Sequence, residues 1–355
     1  MKRIIVLFLV LICLSGTALC EPQRFSAVYT DSFDTVISLI AFADSQETFN
    51  EWSSAVHELY LYLHKLFDRY NTYEKDGIVS VCEVNQRAAK EPVEVDPILF
   101  ALLSFSKEHY ALGQGQTNIA MGNLLGIWHE VREQALDTPS EAHLPDMDAL
   151  KASSAHMNID DLVLDPEKKT VYFADPELQL DVGAVAKGYA TEIVGKMLEQ
   201  SPLSSFILSA GGNVRIGKGP LDGRENWGVG IQSPDGEVFA ASEIAETLYI
   251  RECSVVTSGD YQRYFDLDGT RYCHLVDPDT LMPASFYRSV SIITQDSGLA
   301  DFISTAAYLM PYEESRAFIE GLDGVEAIWL FADGTELMTD GAKPYCKSQG
   351  ATNPN

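Results

Sequence analysis

Basic side chains are scarce in this sequence: 25 Lys and Arg stand against 52 Asp and Glu, which gives the 355-residue chain a formal net charge of −27. Proteins that bind nucleic acids need a basic surface to neutralise phosphates. We therefore expect no nucleic-acid partner. A small anion can still bind where a metal ion, a helix N-terminus or a local lysine reverses the sign of the charge.

Metal-binding and redox motifs are missing as well. The six cysteines form no Cys-x-x-Cys pair, and the seven histidines form no His-x-x-x-His pair. A zinc ribbon, a dithiol redox site and zinc catalysis therefore have no support. Cys253 and Cys273 could join neighbouring strands outside the cell, but free, buried thiols are the default expectation.

Long apolar runs are absent except at the N-terminus. Residues 4–14 are apolar, follow Lys2 and Arg3, and precede small residues. This is the pattern of a secretory signal peptide, and the run is too short for a permanent membrane span. We predict that residues 1–20 are a signal peptide and that the mature protein is exported and extracytoplasmic.

The end of this segment leaves two processing outcomes open. Cys20 is a candidate lipoprotein cysteine, which would anchor the protein to a membrane, although Leu19 is larger than the residue such sites prefer. Ordinary cleavage after Ala18 or Cys20 would leave a periplasmic or secreted protein.

The rest of the chain mixes helical and β-rich patterns. A β-rich run covers 26–43, and a long amphipathic helix follows a cap at 44–47. A second helix, behind an Asp-Pro cap, covers about 97–110, and a connector at 137–160 holds one short helix. Later helices are predicted at about 184–200 and 297–309, and short strands at 170–173, 205–209, 227–232, 247–251, 253–257, 271–276, 289–294 and 325–331.

This order predicts an α+β fold. Helices lie mainly in the N-terminal half and mixed or antiparallel sheets in the C-terminal half, unlike the alternation of a doubly wound sheet. We predict a single domain over 21–345 and a flexible C-terminal tail over 346–355.

The segment LDVGAVAKGY at 180–189 is the sharpest local feature. An apolar strand delivers Asp181 to a glycine turn that opens a helix, where free N–H groups and the helix dipole would stabilise a phosphate. Lys187, one turn into the helix, would add a positive charge. The alternative is that Asp181 only caps the helix and that Lys187 is solvated.

A second glycine cluster, SAGGN at 209–213, follows another apolar strand. Adjacent glycines let a ligand approach the backbone closely, but they equally suit a tight turn between strands. The cluster is not G-x-G-x-x-G, so it does not indicate a dinucleotide-binding fold.

His274 and Asp277 lie at the end of a predicted strand, in the segment HLVDPDT at 274–280. A histidine titrates in the range that suits a general base, and a neighbouring carboxylate can orient it. A purely structural histidine is the alternative.

Asp301 and Thr305 lie four residues apart in a predicted helix, which places them on one face. Carboxylate and hydroxyl oxygens are hard ligands that suit Mg²⁺ together with substrate phosphates. An ordinary helix-terminal Asp and an unrelated Thr are the alternative.

Taken in order, these segments resemble the ApbE-like family of FAD:protein FMN transferases. The resemblance covers roughly residues 30–310 and implies the family's α+β, T-fold-like architecture. It is carried by Asp34 and Thr35, Tyr70, NIAMG at 118–122, Trp128 and His129, and the segments 180–189, 209–213, 256–261, 274–280 and 300–306.

The resemblance also implies a reaction. Family members bind FAD and Mg²⁺, break the pyrophosphate, release AMP and attach FMN through a phosphoester to a Thr or Ser of another protein. By this resemblance, Mg²⁺ would sit between Asp301, Thr305, the Ala184 carbonyl and the pyrophosphate. His274 would take the proton of the acceptor hydroxyl, with Asp277 nearby to orient or polarise it.

Family positions that bind FAD fall on a further set of residues. Some of them depart from the commoner family pattern, since NIA at 118–120 stands where many members have Phe-Asp-x-Thr. The set is Phe33, Tyr70, Asn118, Ile119, Ala120, Asp181, Lys187, Gly259 and Leu275.

Two other functions remain open at this stage. If water replaced the protein hydroxyl, the chain would be a Mg²⁺-dependent FAD pyrophosphatase that yields FMN and AMP. If FAD were retained uncleaved, it would be a non-catalytic extracytoplasmic flavin-binding protein. For a transferase, the resemblance implies a separate acceptor flavoprotein, in the family usually a membrane electron-transfer subunit.

Overall fold

A computed structural model describes residues 21–234 and 244–353. The predicted signal peptide, residues 1–20 with Cys20, lies outside the described residues. In the described ranges, none of the helices combines the length and the apolar character that a membrane span requires.

The helices and strands alternate irregularly along the chain. The helices are α1 (Gln46–Phe67), α2 (Val81–Arg87), α3 (Pro97–His109), α4 (Gly122–Asp137), α5 (Met147–Ser154), α6 (Ala186–Glu199), α7 (Ser297–Tyr308) and α8 (Tyr312–Glu320). The strands are β1 (Gln23–Ser32), β2 (Thr35–Ala43), β3 (Val93–Glu94), β4 (Leu162–Asp165), β5 (Thr170–Phe173), β6 (Phe206–Ala210), β7 (Asn213–Ile216), β8 (Trp227–Gln232), β9 (Ile244–Ile250), β10 (Cys253–Gly259), β11 (Tyr264–Leu267), β12 (Thr270–Cys273), β13 (Ser289–Thr294), β14 (Glu326–Leu330) and β15 (Glu336–Met338).

The largest sheet has eight strands in the order β1-β2-β6-β7-β10-β13-β14-β15, and every neighbouring pair in it is antiparallel. The β2–β6 pairing places Leu39 opposite Leu208, although the two residues are far apart in sequence. Alternate side chains of these strands are buried, as in a sheet packed on its faces. The sheet therefore joins the first hairpin to the strands that follow the helices.

Helices α1, α6 and α7 cover one face of this sheet. The apolar stripe of α1, with Phe49, Val56, Tyr60 and Leu63, is buried in the core. The Tyr60 hydroxyl pairs with that of Thr191 in α6 at 3.0 Å. The amphipathic helix predicted from the sequence is thus confirmed, with its apolar face in the core.

The hairpin of β8 and β9 covers the opposite face. Trp227 and Leu248 from the hairpin join Phe42, Val255 and Ile293 of the large sheet in a separate apolar cluster. Because both faces of the sheet are covered, its middle strands are strongly buried, and β13 is buried at every residue.

The C-terminal residues pack against this hairpin, which corrects the predicted flexible tail. The side chain of Cys346 is fully buried. The carboxylate of Glu246 accepts a hydrogen bond from the Ser348 backbone N–H at 3.3 Å. The Asn353 amide donates to the Asn226 carbonyl at 2.7 Å. These contacts fix the described part of the tail to strand β9 and to the start of β8.

Most predicted elements after residue 165 are confirmed, and β5, β8 and β13 have the predicted bounds. The run at 26–43 is a hairpin instead of one strand, because Phe33 and Asp34 form its turn with φ of 57° and 49°. Tight hairpin turns usually carry Asn-Gly, so this turn had no sequence signal. Helix α4 was not predicted, since it begins at a glycine and has no side-chain cap. The four cysteines in the described ranges are buried free thiols, as expected.

The contact between α6 and α7 depends on a glycine. A Cβ at Gly188 would overlap the Asp301 side chain and the Ser297 carbonyl oxygen. We predict that Gly188→Ala lowers the free energy of unfolding by about 1–3 kcal/mol, because two packed helices must separate. Urea denaturation measures the change.

The matched control is Gly126→Ala in helix α4. A Cβ there would lie 3.6 Å from the Arg69 guanidinium, which is ordinary contact. We expect a gain of about 0.5–1 kcal/mol from the lost flexibility of the unfolded chain and the better helix propensity. Equal changes in the free energy of unfolding for the two substitutions would show that α6 and α7 can separate enough for a Cβ without loss of stability.

Candidate active site

One end of the large sheet opens into a cavity of about 340 Å³. Strand ends, the N-terminus of α6 and one face of α7 form its walls together with the loop after α1. The hairpin of β11 and β12 closes another side. Of the residues predicted for the site, the cavity is lined by Phe33, Tyr70, Asn118, Asp181, Ala184, Lys187, Gly259, His274, Leu275, Asp301 and Thr305. Segments from most of the chain therefore meet in one place.

Two tight turns bring strand ends to this cavity. The β1–β2 turn places Phe33 at the wall, and the β6–β7 turn places Gly211 beside it. Gly211 and Gly212 have φ of 55° and 95°, which glycine adopts easily. A Cβ at Gly211 would overlap the Thr35 side chain. The glycine cluster at 209–213 is thus a tight turn, one of the two structures that the sequence allowed.

Asp181 is held firmly by protein partners. Its carboxylate accepts a hydrogen bond from Arg69 Nη1 at 2.5 Å and from the Gly183 backbone N–H at 2.8 Å. Arg69 also donates to the Gly122 carbonyl at 3.0 Å. The ion pair ties the loop after α1 to the strand that leads into α6 and to the start of α4. Both side chains are mostly buried, so loss of either partner would leave a costly charge behind.

The loop that carries Arg69 is fixed by its neighbour Asp68. One carboxylate oxygen of Asp68 accepts from the Tyr70 backbone N–H at 2.7 Å, and the other accepts from the Tyr73 hydroxyl at 2.7 Å. Hydrogen bonds to the charged form hold the pKa of Asp68 low against the opposing effect of burial. Tyr70 is thereby presented to the cavity on a rigid loop.

The Tyr70 ring is 55% exposed and lies at the cavity mouth. The His129 ring is 5.1 Å from it, and the Arg69 guanidinium lies 5.3 Å from its centroid. Phe33 forms a second aromatic wall, packed edge-on against Tyr60. Aromatic rings at a cavity wall suit a flat conjugated ligand.

Asp301 and Thr305 lie in α7 and place their side-chain oxygens at the cavity. They are 5% and 6% exposed. Asp301 contacts the start of α6. The Gly188 backbone N–H donates to Asp301 Oδ2 at 2.7 Å. Burial raises the pKa of Asp301, while the nearby Lys187 ammonium opposes that shift. The other carboxylate oxygen and the Thr305 hydroxyl have no hydrogen-bond partner among the described residues.

His274 follows strand β12 at the cavity wall. Its backbone N–H donates to the Arg263 carbonyl at 3.0 Å. Nδ1 is covered by protein and has no hydrogen-bond partner in the described ranges, so Nε2 is the accessible ring nitrogen. Burial lowers the pKa of His274 to about 3, and the positive charges of Arg263, Lys187 and Arg132 act in the same direction. The imidazole is therefore neutral near pH 7, and its Nε2 is free to accept a hydrogen bond.

Asp277 does not line the cavity. Its carboxylate accepts hydrogen bonds from the Asp279 backbone N–H at 2.8 Å and from the Thr280 hydroxyl at 2.9 Å. It thus closes its own turn, and it makes no hydrogen bond to His274. In this structure the carboxylate shapes the turn that follows His274, and an orienting role of Asp277 stays a prediction.

Ile119 and Ala120 are also absent from the cavity wall, since each is 1% exposed. The Ile119 carbonyl accepts from the Asp181 backbone N–H at 2.8 Å. Asn118 does line the cavity, but its side chain donates to the Met157 carbonyl at 2.9 Å and accepts from the Ala120 N–H at 2.9 Å. The three residues brace the wall, with only Asn118 at its surface.

Several lining residues were not predicted from the sequence. Both Arg69 and Arg263 lie next to segments that carry the family resemblance. Arg69 precedes Tyr70, and Arg263 lies two residues after Tyr261. Arg132 lies in the unpredicted helix α4 and donates to His129 Nδ1 at 2.8 Å. The only available signal was that these are cations in an acidic chain, next to segments already singled out.

Comparison with known proteins gives a consistent result. A family model described as "ApbE family" matches residues 33–329. An FAD:protein FMN transferase from Treponema pallidum is 34% identical over 269 residues, which are 72% of this chain and 71% of that protein. A second, from Klebsiella pneumoniae, is 29% identical over 253 residues, or 70% and 74% of the two chains.

Solved structures show the same fold. The ApbE protein from Thermotoga maritima superposes with a TM-score of 0.77 over 91% of this chain and 99% of its own, at 23% identity. The flavin transferase ApbE from Vibrio cholerae gives a TM-score of 0.73 over 92% and 99%, at 22% identity. The predicted α+β, ApbE-like architecture is confirmed.

The lowered pKa of His274 makes stability depend on pH. An unfolded histidine titrates near 6.5, whereas folded His274 titrates at about 3. Below pH 6.5 the unfolded chain therefore binds a proton that the folded chain does not, and the free energy of unfolding falls by up to about 1.4 kcal/mol per pH unit. We predict that His274→Gln removes this part of the acid sensitivity.

Urea denaturation of both proteins at several pH values between about 7 and 4 tests this linkage. The difference in stability between wild type and variant should shift in favour of the variant as the pH falls. Parallel pH profiles would mean that His274 titrates normally in the folded protein.

Proposed function

The chain belongs to the ApbE family, and on that premise we propose that it is a Mg²⁺-dependent FAD:protein FMN transferase. One observation carries the proposal. The neutral imidazole of His274, the cation Lys187 and the oxygen pair of Asp301 and Thr305 line a single cavity together with the aromatic rings of Phe33 and Tyr70. An anionic flavin substrate and a hydroxyl acceptor need these chemical groups in one place.

The residues present fit a magnesium ion. One carboxylate oxygen of Asp301 and the Thr305 hydroxyl have no partner in the described part of the chain, and Ala184 lines the cavity too. Mg²⁺ takes hard oxygen ligands and commonly keeps waters and substrate phosphates as the others. Bound there, it would neutralise part of the pyrophosphate charge. Asp301, Thr305 and the Ala184 carbonyl are the proposed ligands.

The chain's own residues account for the remaining steps. The aromatic walls of Phe33 and Tyr70, with Gly259 and Leu275, form the proposed surface for FAD. Lys187 and the N-terminus of α6 offset phosphate charge. Asp181 holds the turn before α6 through Arg69.

Transfer of FMN is a nucleophilic displacement at phosphorus, with AMP as the leaving group. The acceptor hydroxyl oxygen forms a bond to the FMN phosphorus, and the bond from that phosphorus to the bridging pyrophosphate oxygen breaks. AMP leaves with the bridging oxygen. His274 Nε2 takes the hydroxyl proton and passes it to solvent. Positioning and charge neutralisation supply most of the rate in such reactions.

The proposed acceptor is a Thr or Ser of a separate protein, in this family usually a membrane electron-transfer subunit. The N-terminal pattern supports export of the chain, with lipid attachment at Cys20 or cleavage of residues 1–20 as the two routes. An exported enzyme would meet such acceptors outside the cytoplasm.

The direct test incubates the exported chain with FAD and Mg²⁺, with and without a Thr-containing peptide from a flavinylated subunit. We expect AMP release and a peptide that gains the mass of FMN. AMP with unmodified peptide would favour the pyrophosphatase. Bound, uncleaved FAD would favour a flavin carrier.

Asp301 offers the sharpest test of the metal site. Asp301→Asn keeps an oxygen that can accept from the Gly188 N–H but removes the charge that holds Mg²⁺. We predict a loss of FAD cleavage of about 100-fold or more, with stability unchanged or higher because a buried charge is removed. AMP release and urea denaturation measure the two effects.

The matched control is Asp323→Asn, an exposed carboxylate in the loop after α8. It should leave both quantities unchanged. Full Mg²⁺-dependent activity in Asp301→Asn would remove this residue from the metal site.

A further inference from the structure

We infer that Arg263 is a catalytic residue of this site, and that its guanidinium binds the phosphate that is transferred. The inference rests on the proposed function and assigns a residue that the sequence motifs did not single out. It follows from three features of Arg263: it has no partner among the described residues, it lines the cavity, and its backbone is held against that of the proposed base.

Arg263 differs from the other arginines of the cavity in having no partner. Arg69 is paired with Asp181, and Arg132 donates to Glu133 at 3.1 Å. Among the described residues, the Arg263 guanidinium makes neither an ion pair nor a hydrogen bond. In a chain with twice as many acidic as basic residues, an arginine left without a carboxylate at a cavity is suited to an anionic ligand.

The position of Arg263 relative to His274 is fixed by the backbone. Its carbonyl accepts the His274 N–H at 3.0 Å, one step beyond the Tyr264–Cys273 pair that ends the β11–β12 hairpin. The far end of the hairpin is closed by a turn at Asp268 and Gly269, with φ of 50° and 78°. The cation and the base are therefore carried by one rigid unit.

The charge of Arg263 acts across the cavity. Burial lowers the pKa of His274, and the charge of Arg263 adds to that effect; the same charge opposes the rise that burial causes in the pKa of Tyr70, which lies on the loop after α1. A ligand that spans the cavity from the aromatic wall to His274 therefore lies in the field of this guanidinium. The phosphate attacked by the acceptor hydroxyl must lie close to His274, because that residue takes the hydroxyl proton.

The role follows from the charge changes during transfer. As the hydroxyl oxygen bonds to phosphorus and the bond to the bridging oxygen breaks, negative charge is spread over the three other oxygens of that phosphate. A planar guanidinium can donate two parallel hydrogen bonds to two of them. Lys187, at the N-terminal end of α6, supplies a compact charge that Arg263 complements.

The test compares Arg263→Gln and Arg263→Lys with Arg271→Gln. Arg271 lies on the same hairpin, stacks on Tyr264 with its guanidinium 3.8 Å from the ring centroid, and does not line the cavity. We expect kcat for FMN transfer to fall about 100- to 1000-fold in Arg263→Gln. The Lys variant should recover part of the rate, and the Arg271 variant should match wild type.

Two further measurements separate catalysis from folding and from acceptor binding. The Kd for FAD, from quenching of flavin fluorescence, should change less than about 10-fold. Hydrolysis of FAD without acceptor should fall in the same proportion as transfer, since both pass through the same phosphate.

Each contrary result has a distinct meaning. A kcat for Arg263→Gln equal to that of Arg271→Gln would overturn the inference. So would a change confined to the KM of the acceptor, which would make Arg263 an acceptor-binding residue. Wild-type protein that releases no AMP would instead remove the proposed function on which the inference rests.

Discussion

The site depends on a hydrogen bond between two helices. The Gly188 N–H at the start of α6 donates to the buried carboxylate of Asp301 in α7. This contact satisfies one of the free N–H groups of a helix start and partly offsets the cost of burying a carboxylate. Only glycine lets the helices approach so closely. The same contact that packs the two helices therefore leaves one carboxylate oxygen at the cavity.

A large antiparallel sheet supports this pair of helices and explains why distant segments meet. Neighbouring strands run in opposite directions, so the turns between them and the ends of other strands lie at the same end of the sheet. The turns at Phe33 and Gly211 and the end of β10 reach the cavity in this way. Residues from strand ends are held by many backbone hydrogen bonds, which gives the site the rigidity that positioning catalysis requires.

Local patterns in the sequence were sufficient for elements with strong signals. The Asp-Pro cap of α3, the stripe of α1 and the β-rich run of β13 are read from neighbouring residues alone. The hairpin turn at Phe33 and Asp34 could not be predicted in this way. Its two residues are not the usual turn residues, and the pairing of β1 with β2 imposes their backbone conformation. The same limit applies to the C-terminal tail, whose order depends on contacts with a distant hairpin.

The site shows a related division between motif and environment. His274, Asp301 and Lys187 follow from motifs and the resemblance they carry, whereas only the folded chain shows that Arg263 has no partner within residues 21–234 and 244–353. The sequence does not distinguish Arg69, which is paired with Asp181, from Arg263, which is exposed at the cavity. Each arginine lies near an acidic residue in the sequence. Only the geometry distinguishes a cation used by the fold from one left for a ligand.

The acidic surface of the chain and its cationic cavity act at different ranges. Exposed charges are screened within about 8 Å at physiological ionic strength, so the surface repels an anionic substrate only weakly at a distance. At the cavity, Lys187 and Arg263 act at short range, where a charge interaction is stronger and less screened. The net charge of −27 is therefore compatible with an anionic substrate. Of the carboxylates that line the cavity, Asp181 is paired with Arg69 and Asp301 accepts a hydrogen bond from the Gly188 N–H. Lys187 and Arg263, which have no carboxylate partner among the described residues, therefore remain for an anionic ligand.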